Sequence, residues 1–292
     1  MRIITAVCLA TVLVVPGLLK GGDARFSIEK EDDGVVIKIG GQIFTRYHEL
    51  YQNKPILHPV NGPTGKPMTR PLGEGDHPHH SSLWFTHGNV NGTDFWHLKG
   101  LIQHQEYLQM SASSSEAVLK TKAAWIDPQK KMLGSEIRTV VFGADEGIRW
   151  MDIECVFRAE QDVTFGRTKE GSFGARVWPA ITVDKGGTIV NSRGDADKDA
   201  WGKAAEWVDY SGEIDGERLG IAILNHPGSL RHPTTWHVRT YGLFASNPFM
   251  QKPLELKPGE SITVRHLVVL HSGTAKEAGI ARLYEEFAGT KK

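Results

Sequence analysis

Histidines are concentrated in one short segment of the chain. Six of the thirteen histidines fall between His77 and His104, and three of them lie in the pentapeptide Asp76-His77-Pro78-His79-His80. Imidazole is the side chain that most readily gains or loses a proton near neutral pH, and it is the commonest metal ligand. Because the pentapeptide offers no apolar surface to a core, the sequence predicts either a functional site or an exposed histidine-rich turn here.

Aromatic residues follow the pentapeptide at strand spacing. If residues 82–87 form a strand, Trp84 shares one face with Ser82 and Thr86. Aromatic rings stack on the apolar faces of sugars, while imidazoles and amides bind hydroxyl groups. The combination of Trp84, Trp96 and the histidines therefore predicts a sugar site, with ordinary core packing as the alternative for the tryptophans.

A second polar segment contains Glu170 between two glycines, followed by Arg176. A carboxylate near imidazoles can act as a general acid or base, with a pKa set by burial and by its neighbours. The alternative is a solvated charge in a loop. Arg176 adds a cation that can orient a substrate.

A third segment contains two His-Pro pairs, at His226 and His232, and then Trp236, His237 and Arg239. On a strand, His237 and Arg239 point to the same face. Arg239 can hold a carboxylate or a developing oxyanion. His226 and His232 fit a turn equally well.

The spacing of possible ligands along the sequence gives little support for a metal site. His79 and His80 are adjacent, so on an extended chain their rings point apart, and no His-Glu-x-x-His motif or cysteine pair occurs. A metal site built from His77, His79 and a third ligand such as His226 remains open. Otherwise we predict no cofactor.

Short alternating segments separated by glycine, proline or aspartate turns fill the rest of the chain. This pattern predicts an all-β fold, a large antiparallel two-sheet sandwich that forms one domain over residues 25–292. One C-terminal helix is predicted over Thr274 to Phe287, and a long irregular loop over Lys54 to Gly75. Cys155 lies on the apolar face of a strand pattern and is predicted to be a buried, inert thiol.

The first residues resemble an export signal. Arg2 precedes an apolar run from Ile3 to Val15, which predicts a signal peptide over residues 1–24 and a periplasmic or extracellular location, with an uncleaved anchor as the alternative. We expect no stable membrane insertion after its removal. The 34 basic and 34 acidic residues balance, so nucleic acid is not an expected partner. We expect a small-molecule or oligosaccharide substrate instead.

Five separated motifs resemble, in order, the secreted bacterial family labelled methane oxygenase PmoA-like, which is treated as of unknown function. The resemblance covers nearly all of the chain after residue 24, and it departs at His80-Ser81-Ser82, where the family pattern has His-Arg-Gly. It implies a galactose-mutarotase-like supersandwich. The motifs are Asp76-His77-Pro78-His79-His80, Lys169-Glu170-Gly171, Trp207-Val208-Asp209-Tyr210-Ser211-Gly212, His232-Pro233-x-x-Trp236-His237-x-Arg239, and Tyr241-Gly242-Leu243-Phe244 with Asn247-Pro248-Phe249.

These observations lead us to predict a secreted carbohydrate-active enzyme that uses His79 or His80 with Glu170 as acid and base. The reaction classes left open are epimerisation, elimination and hydrolysis. The alternatives are a non-catalytic carbohydrate-binding module and a metal-dependent oxygenase, as the family label implies. The predicted catalytic residues are His79, His80, Glu170 and His237, and the predicted substrate-binding residues are Asp76, His77, Trp84, Arg176, His226, His232, Trp236 and Arg239.

Overall fold

The predicted all-β class is confirmed by a computed structural model, which describes residues 25–290. The predicted signal peptide lies outside the described residues and stays a prediction. The strands within the described range are β1 (Phe26–Glu31), β2 (Gly34–Ile39), β3 (Gln42–Tyr51), β4 (Lys54–Val60), β5 (Leu83–His87), β6 (Leu101–Ala112), β7 (Glu116–Ile126), β8 (Met132–Asp145), β9 (Ile148–Ala159), β10 (Val163–Phe165), β11 (Gly171–Arg176), β12 (Thr188–Asn191), β13 (Trp207–Ile214), β14 (Glu217–Asn225), β15 (Thr235–Val238), β16 (Leu243–Asn247), β17 (Leu254–Leu256) and β18 (Ser261–Ser272), and one α-helix, α1, covers Ile280–Ala288.

Sixteen of these strands form two antiparallel sheets of eight strands each. Sheet 1 has the order β1-β2-β3-β4-β5-β11-β16-β15, and sheet 2 has the order β12-β13-β14-β18-β9-β8-β7-β6. Strands β10 and β17 pair separately. Neighbours such as β5 and β11 are distant in sequence, so sheet 1 brings separate polar segments together.

The main core fills the space between the two sheets. Alternate residues of β5, Leu83 and Phe85, belong to this core, and so do Trp125 and Phe157 from sheet 2. Cys155 is also buried here as a free thiol, as predicted. Because side chains alternate along a strand, the residues between them face away from the core, and each sheet has an outer face.

Both outer faces carry a smaller apolar cluster. On sheet 2, helix α1 packs its Leu283 and Phe287 against Leu224 and Leu267. On sheet 1, an outer cluster consists of Ile56, Trp84, Trp96, Leu243 and Ala245. The outer cluster of sheet 1 is the base on which the histidine segment lies.

Two local predictions were wrong. The segment Lys54 to Gly75 is not entirely irregular, because its first seven residues form β4 despite Pro55 and Pro59. The C-terminal helix begins at Ile280, after Gly279, whose φ of 66° lies outside the helical region. The helices of the described part of the chain are too short or too polar to cross a membrane.

Candidate functional site

A row of four neighbouring residues crosses the outer face of sheet 1. Trp84 on β5 pairs with Gly174 on β11, Gly174 with Ala245 on β16, and Ala245 with His237 on β15. A Cβ atom on Gly174 would approach Trp84 Cζ2 to 3.1 Å. Small residues therefore separate a tryptophan at one end of the row from a histidine at the other.

The pentapeptide lies over the tryptophan end of this row. The ring centroid of His80 is 5.7 Å from that of Trp84 at an interplanar angle of 14°. The His79 ring lies 4.5 Å from His80 and 4.6 Å from His97, and the His77 ring stacks on His80 at 4.9 Å. These four imidazoles form what we call the histidine cluster, His77, His79, His80 and His97, on an aromatic base.

Two buried arginines border the histidine cluster. Arg70 Nη1 and Arg176 Nη2 both donate to Asp76 Oδ1, at 2.9 and 2.5 Å. The guanidinium of Arg176 also lies over the Tyr241 ring, 4.6 Å from its centroid. Asp76 Oδ2 accepts from His77 Nδ1 at 2.6 Å, so this carboxylate joins three side chains.

The contact between Arg176 and His80 fixes the tautomer of the imidazole. Arg176 Nη1 lies 3.1 Å from His80 Nδ1, and a guanidinium can only donate. His80 Nδ1 must therefore accept, which places the ring proton on Nε2. Burial and the neighbouring cations hold the pKa of His80 far below its usual range, so the ring is neutral at pH 7.

The same environment acts on the other titratable groups of the site. Burial, with His97 and His77 nearby, lowers the pKa of His79 to about 4. Partial burial opposes the ionisation of Asp76, but hydrogen bonds from His77 and Arg176 outweigh it and lower its pKa to about 2. At neutral pH the neutral rings of His79 and His80 therefore lie close to an ionised carboxylate, Asp76.

His97 has its own carboxylate partner. His97 Nδ1 donates to Asp94 Oδ2 at 2.8 Å, and the backbone N–H of His97 donates to Asp94 Oδ1. In a neutral ring this arrangement leaves the lone pair on Nε2. The imidazole is 44% exposed, so a proton acceptor held by a carboxylate faces solvent beside His79.

A buried lysine lies directly beneath the pentapeptide. Lys54 on β4 is 0% exposed. Within residues 25–290, its Nζ donates only to neutral oxygens, Asn53 Oδ1 and the His79 carbonyl, both at 3.3 Å. Burial lowers the pKa of Lys54 to about 7. Burying an ammonium group without a counter-ion costs free energy of folding. Lys54 is therefore an uncommon residue to find beneath a polar segment.

A second polar group lies at the other end of the row. Glu170 accepts from the Thr168 hydroxyl at 2.5 Å and lies 3.6 Å from Lys169 Nζ. Burial lowers the pKa of His237 to about 4, with Arg239 as the second cause and Glu170 opposing. Arg239 in turn lies over the ring of Trp201, which is 42% exposed.

Glu170 and His80 do not come together. Glu170 O accepts from Gly88 N just beyond the end of β5, while Arg176 N donates to Ser82 O just before its start. Glu170 and Arg176 are six residues apart on one extended segment, so their Cα atoms are separated by about 20 Å. The acid–base pair predicted from sequence is thus split between two groups.

Three predicted binding residues lie away from this face. Trp236 belongs to the main core and donates its indole N–H to Ala205 O, which corrects its predicted role in stacking on a substrate. His226 contacts Phe287 of α1, and His232 Nδ1 bonds to Asn225 and stacks on Tyr284. Both histidines therefore lie at the outer face of sheet 2, where each has a structural partner.

The same placement corrects the metal site considered from sequence. His226 lies on the opposite side of the sandwich from His77 and His79, so these three cannot share an ion. Among residues 25–290, no group of three or more His, Cys, Asp or Glu side chains is arranged to hold a metal.

Four residues of the site were missed in the sequence, namely Lys54, Arg70, His97 and Trp201. Lys54 lies in a segment whose sequence predicts a loop, and Arg70 reaches the pentapeptide only through the path of the chain between β4 and β5. His97 had a detectable signal, because Asp94 precedes it by three residues. Trp201 had none, since its proximity to Arg239 depends on the fold.

Comparisons with known proteins give a family and distant structural likenesses. A family model described as a family of unknown function, DUF6807, matches residues 34–285. A search of curated proteins gives no match. A GH36 α-galactosidase from Geobacillus stearothermophilus is 14% identical over 87% of this chain, with a TM-score of 0.35. This chain spans 40% of that enzyme's length.

Two smaller proteins give similar values. A putative aldose 1-epimerase from Escherichia coli K12 is 11% identical, with 85% of this chain and 98% of that one covered and a TM-score of 0.34. A galactose 1-epimerase from Lactobacillus acidophilus NCFM is 10% identical over the same shares, with a TM-score of 0.38.

Proposed function

We propose that the histidine cluster is the active site of a carbohydrate-active enzyme. The chain belongs to DUF6807, a family of unknown function. The reaction is proton transfer on a sugar or glycoside. The observation that carries this proposal is the neutral His80, whose tautomer is fixed by Arg176 and whose ring lies on Trp84. Export to the periplasm or beyond is part of the proposal.

His80 and His97 have complementary roles in this proposal. His80 presents Nε2–H and donates a hydrogen bond to a sugar oxygen, because a neutral imidazole can polarise a carbonyl or stabilise a developing alkoxide. His97, oriented by Asp94, takes up the proton through Nε2. The His79 ring contacts both and separates the donor from the acceptor.

This arrangement favours epimerisation or elimination over hydrolysis. Glycoside hydrolysis ordinarily uses two carboxylates, one on each side of the bond. Asp76 and Asp94, the carboxylates nearest the cluster, are both bonded to imidazoles. Proton abstraction by an imidazole needs no further carboxylate, so the groups present suit isomerase or lyase chemistry.

The oxygenase function implied by the family label does not fit these residues. His80 Nδ1 is occupied by a cationic guanidinium, and the Nδ1 atoms of His77 and His97 are occupied by carboxylates. Between residues 25 and 290, no group of three or more His, Cys, Asp or Glu side chains is arranged to hold a metal, so we derive no step through a metal.

Non-catalytic glycan binding is the second candidate. The observation in its favour is Trp201, an exposed ring held by Arg239 at the edge of sheet 1. An exposed tryptophan can stack on a sugar without any chemistry. The two candidates differ in whether the bound sugar is converted.

The test is incubation of the purified protein with a panel of neutral and acidic sugars and glycosides in D2O, followed by proton NMR. Epimerisation appears as exchange at a ring carbon, and elimination as new vinyl signals. We expect His80→Gln and His97→Gln to lower the rate by about 10²–10⁴-fold. His104→Gln, which alters a histidine bonded to Tyr47 outside the site, is the control. Binding without any conversion would contradict the enzyme and support the binding module.

A further inference from the structure

The site holds more buried positive charge than it neutralises. Arg70 and Arg176 have side chains only 6% and 5% exposed, and Lys54 is fully buried. Asp76 is the one carboxylate that bonds to any of these three cations among residues 25–290, and it is itself 50% exposed. Buried charges are retained only when they are paired, and the two buried guanidiniums share one half-exposed carboxylate, so they are incompletely neutralised.

Unpaired donors occur in the same place. Arg70 Nε, Arg176 Nε and Trp84 Nε1 are buried and have no hydrogen-bond partner in the described part of the chain. These three nitrogens can only donate. Because more than nine tenths of buried polar groups in native proteins are paired, three unpaired donors in one cluster indicate a ligand rich in acceptor oxygens.

Asp76 shows which anion suits the arginine pair. One of its oxygens accepts from both guanidinium groups, at 2.9 and 2.5 Å, and the other accepts from His77. A carboxylate therefore fits between Arg70 and Arg176 with charge-assisted bonds. Asp76 is half-exposed, whereas the two guanidiniums are buried. A ligand carboxylate that reaches the guanidiniums from solvent therefore has to displace the carboxylate of Asp76.

We propose that the sugar recognised at this site is a uronic acid, whose carboxylate displaces Asp76 and binds to Arg70 and Arg176. This inference rests on the proposed function, because it places the sugar at the histidine cluster. It adds the substrate class, which the imidazoles alone do not define.

Titration calorimetry with matched ligands tests the inference. The probes are glucuronate and galacturonate with their disaccharides, the corresponding neutral sugars, and glucose 6-phosphate. Because hydrogen bonds to charged groups contribute about 1.5–3 kcal/mol, we expect the uronates to bind about 10- to 100-fold more tightly than the neutral sugars.

Variants identify the residues responsible. Arg70→Gln and Arg176→Gln should abolish the preference for uronates, and Arg218→Gln, an exposed arginine on sheet 2, should leave it unchanged. Asp76→Asn should strengthen uronate binding, because it removes the competing carboxylate. Asp76 is half-exposed, so this variant keeps the test valid even if an arginine variant fails to fold.

The outcomes separate this inference from the proposed function. Conversion of neutral sugars with no preference for uronates overturns the inference and leaves the proposed function standing. Tighter binding of glucose 6-phosphate than of any uronate overturns the carboxylate assignment. If no sugar of either class binds, both the inference and the proposed function fail.

Discussion

His80 owes its tautomer to Arg176, which lies on β11 and is distant in the sequence. The guanidinium donates to Nδ1, and this single contact decides which nitrogen of the ring faces a ligand as a donor. The other imidazoles are set in the same way, by Asp76 for His77 and by Asp94 for His97. The tautomer of His80 is thus set by a distant segment, whereas His77 and His97 are oriented by carboxylates close to them in the sequence.

Lys54 gives a prediction at the residue scale. Lys54→Met removes a buried ammonium that has only neutral partners, so we expect the variant to be more stable by about 1–4 kcal/mol at pH 7. The pKa of His79 should rise, because Lys54 is one of the charges that lower it. Urea denaturation and an NMR titration of the histidines measure the two effects. Loss of stability would instead show that the bond to the His79 carbonyl holds the pentapeptide in place.

At the scale of the elements, β5 and β11 separate two polar groups that the sequence suggested were one. The pairing of Gly171 with His87 and of Ala175 with Leu83 places Glu170 at one end of the pair and Arg176 at the other. His80 lies at the same end as Arg176, and His237 lies at the same end as Glu170. The proposed function uses the first end.

Glu170→Gln tests this division. Because Glu170 lies about 20 Å along the strand from the arginine that holds His80, we expect turnover of an identified substrate to change less than about twofold, against the large loss for His80→Gln. Steady-state kinetics on the two variants make the comparison, with Lys169→Gln as a control for the charge of the loop. A large loss with Glu170→Gln would move the active site to His237.

The sequence predicted those parts of the fold and of the site that depend on local alternation. The alternation predicted for residues 82–87 places Trp84 on the other face of β5 from Leu83 and Phe85, where it is buried in the outer cluster, and the strand pattern led to the correct class. Sequence could not tell on which face of which sheet the His-Pro pairs lie, so His226 and His232 were placed with the site. Arg70 and Lys54 were missed because their contacts join segments that only the sheet order brings together.

At the scale of the whole molecule, buried histidines make stability depend on pH. Burial lowers the pKa of His87 and His237 to about 4, and that of His266 to about 3. Between the unfolded value of about 6.5 and these values, the unfolded chain binds more protons than the folded one. The free energy of unfolding is therefore at its full value above pH 6.5 and falls as the pH decreases through this window.

We expect each of these three histidines to lower the free energy of unfolding by about 2 kcal/mol at pH 5 relative to pH 7. The figure follows from about 1.36 kcal/mol per unit of difference between the unfolded and folded pKa values. Urea denaturation at the two pH values measures the loss. His266→Gln should show a smaller difference between them, because one proton-binding group is absent. Equal midpoints at pH 5 and pH 7 in the unaltered protein would contradict the prediction.

The order of strands in sheet 1 has a consequence for how the site can form. The pairing of β5 with β11, and of β11 with β16, joins three segments that lie far apart in the chain, and long-range pairings of this kind form slowly. A fragment that lacks β5 or β11 would lose Trp84 or the arginine that orients His80, and one that lacks β16 would leave β11 without its neighbour on that side. Ligand binding would therefore report the completion of folding, and recovery of binding after dilution from urea would time the last pairing in sheet 1.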